Sequence, residues 1–284
     1  MILSRFGPVG AEVPALRHDG DWVDARPVLG ARPELGGDFG PAFFAAGGLT
    51  HLAAAADELP SLDVAGQRQG APIARPGAVV CIGMNYAAHA AESGALPPEQ
   101  PVMFLKLPNT VVGPHDEVAI PRGSTKTDWE VELGVVIGRR IAYLDSADEA
   151  LEHVAGFVTV NDVSERDFQL AVSGGQWSKG KCCAGFSPTG PWLVTPDEVD
   201  HGSLRLRSWV NGQPRQDSST ADMIFSVGEI LHHLSQYLVL EPGDLVLTGT
   251  PEGVALSGRY PYLSAGDVCE VEIGGLGRGR QLFV

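Results

Sequence analysis

The stretch Thr127–Arg139, TDWEVELGVVIGR, decides the fold of this 284-residue chain. Its first half alternates apolar with acidic residues, and this period of two is typical of a β-strand with one buried face. The alternation places Glu130 and Glu132 on the same face, where side chains two residues apart start roughly 6–7 Å from each other. Carboxylates that share one small volume repel each other unless a cation lies between them. We therefore predict that both glutamates bind a hard divalent cation, with a solvated acidic face on an edge strand as the alternative.

A third acidic residue stands at the end of another apolar segment. The sequence GFVTVN at 156–161 indicates a buried strand, and Asp162 follows it directly. An acidic residue at the end of a buried strand is a further candidate oxygen ligand for the same cation.

A histidine and a glutamate lie three residues apart on a predicted helix. The apolar strand Ala78–Ile82 leads into a helix expected at Tyr86–Ser93. His89 and Glu92 then share one helix face. A carboxylate beside an imidazole orients the ring and raises its basicity, as a general base for water requires. An ordinary surface ion pair is the alternative.

Three basic residues are further candidates. Lys106 is the one charge in the apolar strand expected at Pro101–Leu107, and such a lysine requires an acidic partner or a function. Arg166 could clamp a substrate carboxylate with its planar guanidinium, or pair with one of the acidic residues that flank it in sequence. Lys181 lies in a glycine-flanked loop and could stabilise an oxyanion or carry a proton; a solvated loop lysine is the alternative.

Composition restricts the classes of partner and compartment. A formal net charge of −15 argues against nucleic acid and anionic membranes as partners. The sequence shows neither an apolar run long enough to span a bilayer nor a signal-peptide pattern at its start. Its four cysteines follow no C-x-x-C or disulfide-scaffold spacing. These patterns predict a protein of the reducing cytoplasm.

The chain divides into two predicted domains. Residues 1–70 form a small N-terminal domain with a hairpin signal at Asp19-Gly20 and no evident chemistry. Residues 71–284 are mostly short strands separated by turns, with few helices. Such an order excludes a β/α/β nucleotide-binding sheet. It predicts an α+β, β-rich fold built as a sandwich or roll.

Together these segments resemble the fumarylacetoacetate hydrolase family over roughly residues 78–275. The resemblance rests on the motifs CIGMNY at 81–86 with His89 and Glu92, DWEVELG at 128–134, NDVS at 161–164 with Arg166 and Asp167, Gly180-Lys181, Gly190-Pro191, and LTGTP at 247–251. It implies the β-sandwich or roll catalytic domain of that family, usually as a homodimer. It also implies one Mg²⁺ or Mn²⁺ per active site.

The resemblance implies a role for each matching residue. The implied metal ligands are Glu130, Glu132 and Asp162; the implied catalytic residues are His89, Glu92 and Lys181; the substrate-binding candidates are Arg166, Thr250 and Tyr86. One segment departs from the pattern. Many relatives carry Asp-Thr near the lysine, whereas here Lys181-Cys182-Cys183 is followed by Ala184-Gly185. The loss of a carboxyl and a hydroxyl implies a less polar substrate or a reaction other than hydrolysis.

The expected activity is metal-dependent hydrolysis of a C–C bond in a small 2-oxo acid or 1,3-dicarbonyl, acylpyruvate-like substrate. A bound cation would act as a Lewis acid, His89 would activate water, and Lys181 would stabilise the oxyanion or protonate the departing carbanion. An oxaloacetate-type decarboxylase, or a 2-oxo-acid tautomerase or hydratase, could use the same site. Alternatives from other classes are an inverting glycosidase with Glu130 and Glu132 as acid and base, and a non-enzymatic module that binds a divalent ion or an oxo acid.

Overall fold

The computed structural model describes residues 1–92, 94 and 96–284, and strands dominate it. These residues form the strands β1 (Ile2–Phe6), β2 (Val13–His18), β3 (Asp21–Asp24), β4 (Gln69–Gly70), β5 (Val79–Gly83), β6 (Val102–Lys106), β7 (Val111–Val112), β8 (Thr127–Asp128), β9 (Val131–Ile137), β10 (Val154–Asn161), β11 (Ser164–Glu165), β12 (Ser187–Pro188), β13 (Leu193–Val194), β14 (Arg205–Val210), β15 (Gln213–Ser219), β16 (Leu245–Leu247), β17 (Val268–Ile273) and β18 (Gly277–Leu282).

The helices are short and connect the strands. They are α1 (Arg26–Gly30), α2 (Pro41–Ala45), α3 (Gly48–Ala55), α4 (Ala87–Glu92), α5 (Ala147–Leu151), α6 (Ser178–Lys181) and α7 (Val227–Ser235), with a π-helical turn at Asp167–Ala171. In this described part of the chain, none of them has the length and apolarity needed to cross a bilayer. The helix predicted at 86–93 is found as α4, which begins one residue later because Tyr86 forms a β-bridge with Met223. Ser93, the last residue of the prediction, lies outside the described residues.

Two sheets form the framework. The larger has ten strands in the order β3-β2-β1-β13-β10-β9-β16-β5-β6, with β4 beside β1, and the smaller has the order β15-β14-β17-β18. Most neighbours are antiparallel, although β16 runs parallel to β5. The long antiparallel ladders and the short helices confirm the predicted α+β, β-rich class.

Strand β9 separates the two halves of the hydrophobic core. Leu133, Val135 and Ile137 pack in a cluster that includes residues of the smaller sheet and of α7. Val136, on the opposite face, belongs to a second cluster with Phe43 and other residues of the N-terminal segment. The period of two in the sequence therefore corresponds to two different packing partners.

The predicted strand 127–139 is interrupted between β8 and β9. At this point two backbone N–H groups bond to side chains instead of a neighbouring strand: Glu130 donates to Oδ1 of Asn161 at 3.0 Å, and Val131 donates to Oε1 of Gln216 at 3.1 Å. The buried amide groups of Asn161 and Gln216 thus replace the ladder where the acidic residues begin.

The first seventy residues contribute to the larger sheet. Strand β1 pairs with β2 and β4, and it also pairs with β13 from the later part of the chain. Strands from both sides of residue 70 thus share one sheet. The domain division at residue 70 stays a prediction.

Candidate active site

Strand register brings the three predicted metal ligands together. In the β9–β10 pair Glu132 lies opposite Val160, and the N–H of Asp162 donates to the carbonyl of Glu130 at 2.9 Å. Residues opposite each other in an antiparallel pair point to the same face. One carboxylate oxygen from each of Glu130, Glu132 and Asp162 lies within 4.8 Å of the others, and all three residues are buried. The convergence is a structural fact, and ligation of a metal stays a prediction.

Two buried lysines contact this cluster. Nζ of Lys181 donates to Oε2 of Glu130 at 2.6 Å and to Oδ2 of Asp162 at 2.7 Å. Nζ of Lys106 donates to Oδ1 of Asp162 and to the carbonyl of Phe186, the latter at 2.6 Å. Lys181 is therefore buried in the site and is not a solvated loop lysine. Lys106 has the acidic partner that its apolar surroundings required.

Arg166 completes the ionic cluster. Its Nε donates to Oδ2 of Asp128 at 2.8 Å, and its Nη2 lies 2.7 Å from Oε1 of Glu130. The acidic neighbours in sequence have other contacts, since Glu165 accepts from the Ser124 hydroxyl and Asp167 pairs with Lys126. The sequence-based pairing of Arg166 with either neighbour is thus wrong, because the chain direction at this turn points the guanidinium back toward β8.

Charge in the cluster is not balanced. Four buried carboxylates (Asp128, Glu130, Glu132 and Asp162) face three buried cations (Lys106, Arg166 and Lys181). Burial opposes ionisation of Glu130, but Lys181 and Arg166 outweigh it and hold the pKa of Glu130 well below its usual range. Fully ionised, the cluster carries one excess negative charge.

Among these four carboxylates, Glu132 is the one that has no ion pair within the described residues. Its Oε2 accepts from the N–H of Gly249 at 2.8 Å, and no ammonium or guanidinium group of the described residues forms an ion pair with it. Burial, followed by the charges of Asp162 and Glu130, raises the pKa of Glu132 well above its usual value. A divalent cation between the three oxygens would relieve this repulsion, and hard oxygen donors suit Mg²⁺ or Mn²⁺. The residues present fit such an ion.

The predicted His89–Glu92 pair is formed on α4. Nδ1 of His89 lies 3.0 Å from Oε1 of Glu92, and each side chain is 9% exposed. The pair is buried, so the alternative of a surface ion pair does not hold. Glu92 is itself fixed from the other side, by the N–H of Gly253 at 3.1 Å and by Nη2 of Arg259 at 2.5 Å.

These groups line one cavity of about 280 Å³. Of the predicted site residues, the cavity is lined by His89, Glu92, Glu130, Glu132, Arg166, Lys181 and Thr250. Asp162 lies behind Lys181, fully buried. The hydroxyl of Thr250 donates to the Val131 carbonyl at 2.9 Å and accepts from Gln216 at 2.8 Å.

Tyr86 is not among the described residues that line this cavity. It forms a β-bridge with Met223, and the side chain of the preceding Asn85 bonds to Phe225, so this segment is held against the loop before α7. Tyr86 is 1% exposed and lines a separate depression with Asp222. The assignment of Tyr86 to substrate binding stays a prediction, although Tyr86 is outside the lining of this cavity.

Gln169 belongs to the site and was missed by the sequence analysis. It lines the cavity, is 5% exposed, and its Oε1 accepts from Nη1 of Arg166 at 2.9 Å. The sequence spacing could have predicted this contact, because a residue three positions after Arg166 lies on the same side of a helical turn.

Comparisons with known proteins show the family of this chain. A family model described as Fumarylacetoacetate (FAA) hydrolase C-terminal matches residues 78–284. The chain is 46% identical to a 2,4-didehydro-3-deoxy-L-rhamnonate hydrolase from Sphingomonas sp. (strain SKA58), over 99% of this chain and 95% of that protein.

Two solved structures are similar along the whole chain. A 2-hydroxyhepta-2,4-diene-1,7-dioate isomerase from Mycobacterium marinum has a TM-score of 0.75 and 33% identity, covering 100% of this chain and 98% of that one. A maleylpyruvate hydrolase from Sphingobium sp. SYK-6, in complex with manganese (II) ion and pyruvate, has a TM-score of 0.80 and 25% identity, covering 100% and 99%. The family match covers most of the chain, and this protein belongs to the fumarylacetoacetate hydrolase family.

Proposed function

We propose that the protein is a divalent-metal-dependent hydrolase that cleaves a C–C bond in a small acylpyruvate-like 2-oxo acid. One observation carries the proposal: two members of a buried cluster of three carboxylates line the same cavity as an oriented His–Glu pair. Binding of an ion alone would not require His89 and Glu92. A glycosidase would require carboxyls on opposite sides of a sugar ring, whereas these lie within 4.8 Å of one another.

The charge of the cluster supports an anionic substrate. With one excess negative charge, the cluster and a divalent cation together would carry one positive charge, which matches the single carboxylate of a 2-oxo acid. When bound, such an ion would supply Lewis-acid stabilisation of negative charge on the oxygens of the substrate.

The residues of the chain have distinct roles in the proposed reaction. His89, oriented by Glu92, removes a proton from water, and the hydroxide oxygen bonds to the acyl carbonyl carbon. The C–C bond then breaks, and its electron pair stays on the pyruvate part. A proton added to the terminal carbon of that part gives pyruvate, and the acyl part is released as a carboxylic acid. Lys181 is suited to stabilise the negative charge on the pyruvate part and to donate this proton, and the proton that His89 took from water then balances the one that Lys181 lost. Burial alone would lower its pKa, but Asp162 and Glu130 outweigh burial and raise it, which keeps the ammonium protonated.

The relatives support this substrate class. The name of the Sphingomonas relative describes a sugar acid oxidised at carbons 2 and 4, which is the carbonyl spacing of an acylpyruvate. The maleylpyruvate hydrolase structure holds manganese and pyruvate, a metal and a product that the proposal also requires. We propose Mg²⁺ or Mn²⁺, one ion per site, for the present protein.

A direct test uses acetylpyruvate with Mg²⁺ or Mn²⁺. We expect loss of the ultraviolet absorbance of the enol, with formation of pyruvate and acetate in equal amounts. In ¹⁸O-labelled water the label should appear in acetate. Full activity after removal of divalent ions with EDTA would overturn the metal dependence, and unlabelled acetate would overturn the hydrolytic step.

Decarboxylation or isomerisation in the same cavity is the second candidate. It is favoured by the similarity to an isomerase and by Ala184-Gly185 in place of two polar residues. Both reactions need stabilisation of an enolate but no attacking water. Release of CO₂ from oxaloacetate, or a shifted double bond without incorporated ¹⁸O, would identify them.

We also propose that two copies associate and that the protein works in the cytoplasm. The first proposal is supported by β6, an edge strand of the larger sheet whose Met103 and Leu105, with the following Leu107, are 44%, 50% and 56% exposed. Apolar edge strands are surfaces that other chains cover. Light scattering after size-exclusion chromatography should give twice the mass of the chain, and a monomer would refute dimerisation. The cytoplasmic location rests on the sequence patterns, and cell fractionation tests it.

A further inference from the structure

The cavity has an apolar wall in addition to the ionic one. This wall consists of Ile82, Met84, Phe104, Leu170, Trp177 and Leu256. The rings of Phe104 and Trp177 meet edge to face with centroids 5.7 Å apart. Trp177 lies against Gly83, where an added Cβ would come within 2.4 Å of the indole. The absence of a side chain at Gly83 therefore gives the indole its place in the wall.

The cations at the cavity are already paired. Arg166 contacts Asp128 and Glu130, and Lys181 contacts Glu130 and Asp162. Among the described residues that line the cavity, no other lysine or arginine is present. A second carboxylate on a substrate would thus meet the apolar wall without a cationic partner. Burial of an unpaired carboxylate is strongly unfavourable.

We infer that the end of the substrate remote from its 2-oxo acid group is uncharged. The acyl group would be short and apolar, or would carry at most a hydroxyl, and dicarboxylic substrates would be rejected. This inference rests on the proposed function and specifies the substrate class of the same site. It distinguishes the protein from the isomerase relative, whose name denotes a dioate.

The test compares two substrates of equal length, butyrylpyruvate and succinylpyruvate, in which a terminal methyl group is replaced by a carboxylate. We expect kcat/KM to be roughly 100-fold higher for butyrylpyruvate, because the added carboxylate would be buried unpaired. Equal values, or a preference for succinylpyruvate, would overturn the inference and leave the proposed function intact. If acetylpyruvate and both longer substrates all remained intact, the proposed function would fail first.

A charge placed in the apolar wall provides a second test. Leu170 lines the cavity and is 49% exposed, so Leu170→Arg can be accommodated. This variant should raise kcat/KM for succinylpyruvate relative to butyrylpyruvate by roughly 10-fold, through a charge-assisted hydrogen bond. Val172→Arg, in the same segment, 64% exposed and outside the cavity lining, should leave the ratio unchanged. A similar ratio in both variants and the unmodified protein would overturn the assignment of this wall.

Discussion

Lys106 forms an ion pair with Asp162 in which both side chains are fully buried. Lys106 donates a hydrogen bond to Oδ1 of the Asp162 carboxylate, and Lys181 donates one to Oδ2. Lys106 also bonds to the carbonyl of Phe186, which precedes β12. It therefore fixes the rotation of Asp162 and determines which oxygen faces the other two carboxylates.

Replacement of Lys106 by methionine should weaken metal binding. Two effects oppose each other, since loss of a positive charge favours a cation, whereas loss of the hydrogen bond frees Asp162 to rotate. We expect orientation to dominate, with a roughly 10-fold lower affinity for Mn²⁺, because groups that orient metal ligands typically have effects of 10- to 100-fold. Titration calorimetry with Mn²⁺ measures this change.

A matched control is Lys126→Met, which removes a lysine from the half-exposed pair with Asp167. Its Mn²⁺ affinity should be unchanged. If Lys106→Met were too unstable for titration, Lys106→Arg would keep the charge and change only the geometry. Tighter Mn²⁺ binding by Lys106→Met would show that charge outweighs orientation and would refute this prediction.

Glu132 should be required for metal binding but not for folding. Its carboxylate is buried beside two others and has no cationic partner in the described part of the chain, so Glu132→Gln removes a repulsion. We expect the metal-free variant to be at least as stable as the unmodified protein, by up to about 1 kcal/mol. Mn²⁺ should no longer raise its melting temperature.

Glu130→Gln is the matched comparison for this prediction. Glu130 has ion pairs with Arg166 and Lys181, so its neutralisation leaves each of these buried cations with one carboxylate partner instead of two. The metal-free variant should lose about 3–5 kcal/mol of unfolding free energy. Equal destabilisation by the two substitutions would contradict the assigned charge imbalance. Thermal and urea unfolding, each with and without Mn²⁺, separate the two cases.

The sequence was sufficient for the local features of the site. The alternation around Glu130 and Glu132 predicted one shared face, and the spacing of His89 and Glu92 predicted their contact. Each depends on the periodicity of a single element, which sequence determines directly. The interruption at Trp129 was not foreseen, because it depends on amide side chains that come from β10 and β15.

Contacts between residues that are far apart in the chain could not be predicted from the sequence. Nothing in the pattern shows that Arg166 reaches Asp128, since that contact depends on how β11 pairs with β8. Tyr86 was assigned by its place in a motif, whereas its backbone forms a bridge to Met223, far along the chain, and Tyr86 lines a separate depression. Residues in one motif can therefore point into different cavities.

His89→Ala should strongly lower kcat without changing the affinity for the metal ion. The imidazole is bonded to Glu92 and is absent from the carboxylate cluster. Removal of a general base typically lowers the rate by roughly 10²- to 10⁴-fold. We expect kcat for acetylpyruvate to fall in this range while the Kd for Mn²⁺ stays within a factor of about two. A parallel loss of Mn²⁺ affinity would indicate that His89 supports the cluster and is not the base.

Glu92→Gln should change how stability depends on pH. Burial raises the pKa of Glu92, but hydrogen bonds from His89, Gly253 and Arg259 outweigh it, so the folded-state pKa lies below the ordinary value of 4.5. A carboxyl with a lowered pKa stabilises the fold above its unfolded-state pKa, and this contribution is lost as the pH falls through the lowered value. The variant should therefore be less stable than the unmodified protein near neutral pH, with a difference that shrinks below about pH 4.5.

Urea unfolding between about pH 3 and about pH 7 measures this difference in stability, and the substitution Glu99→Gln at an exposed position serves as a control. A difference that stays constant across this range would mean that the hydrogen bonds to Glu92 do not depend on its charge.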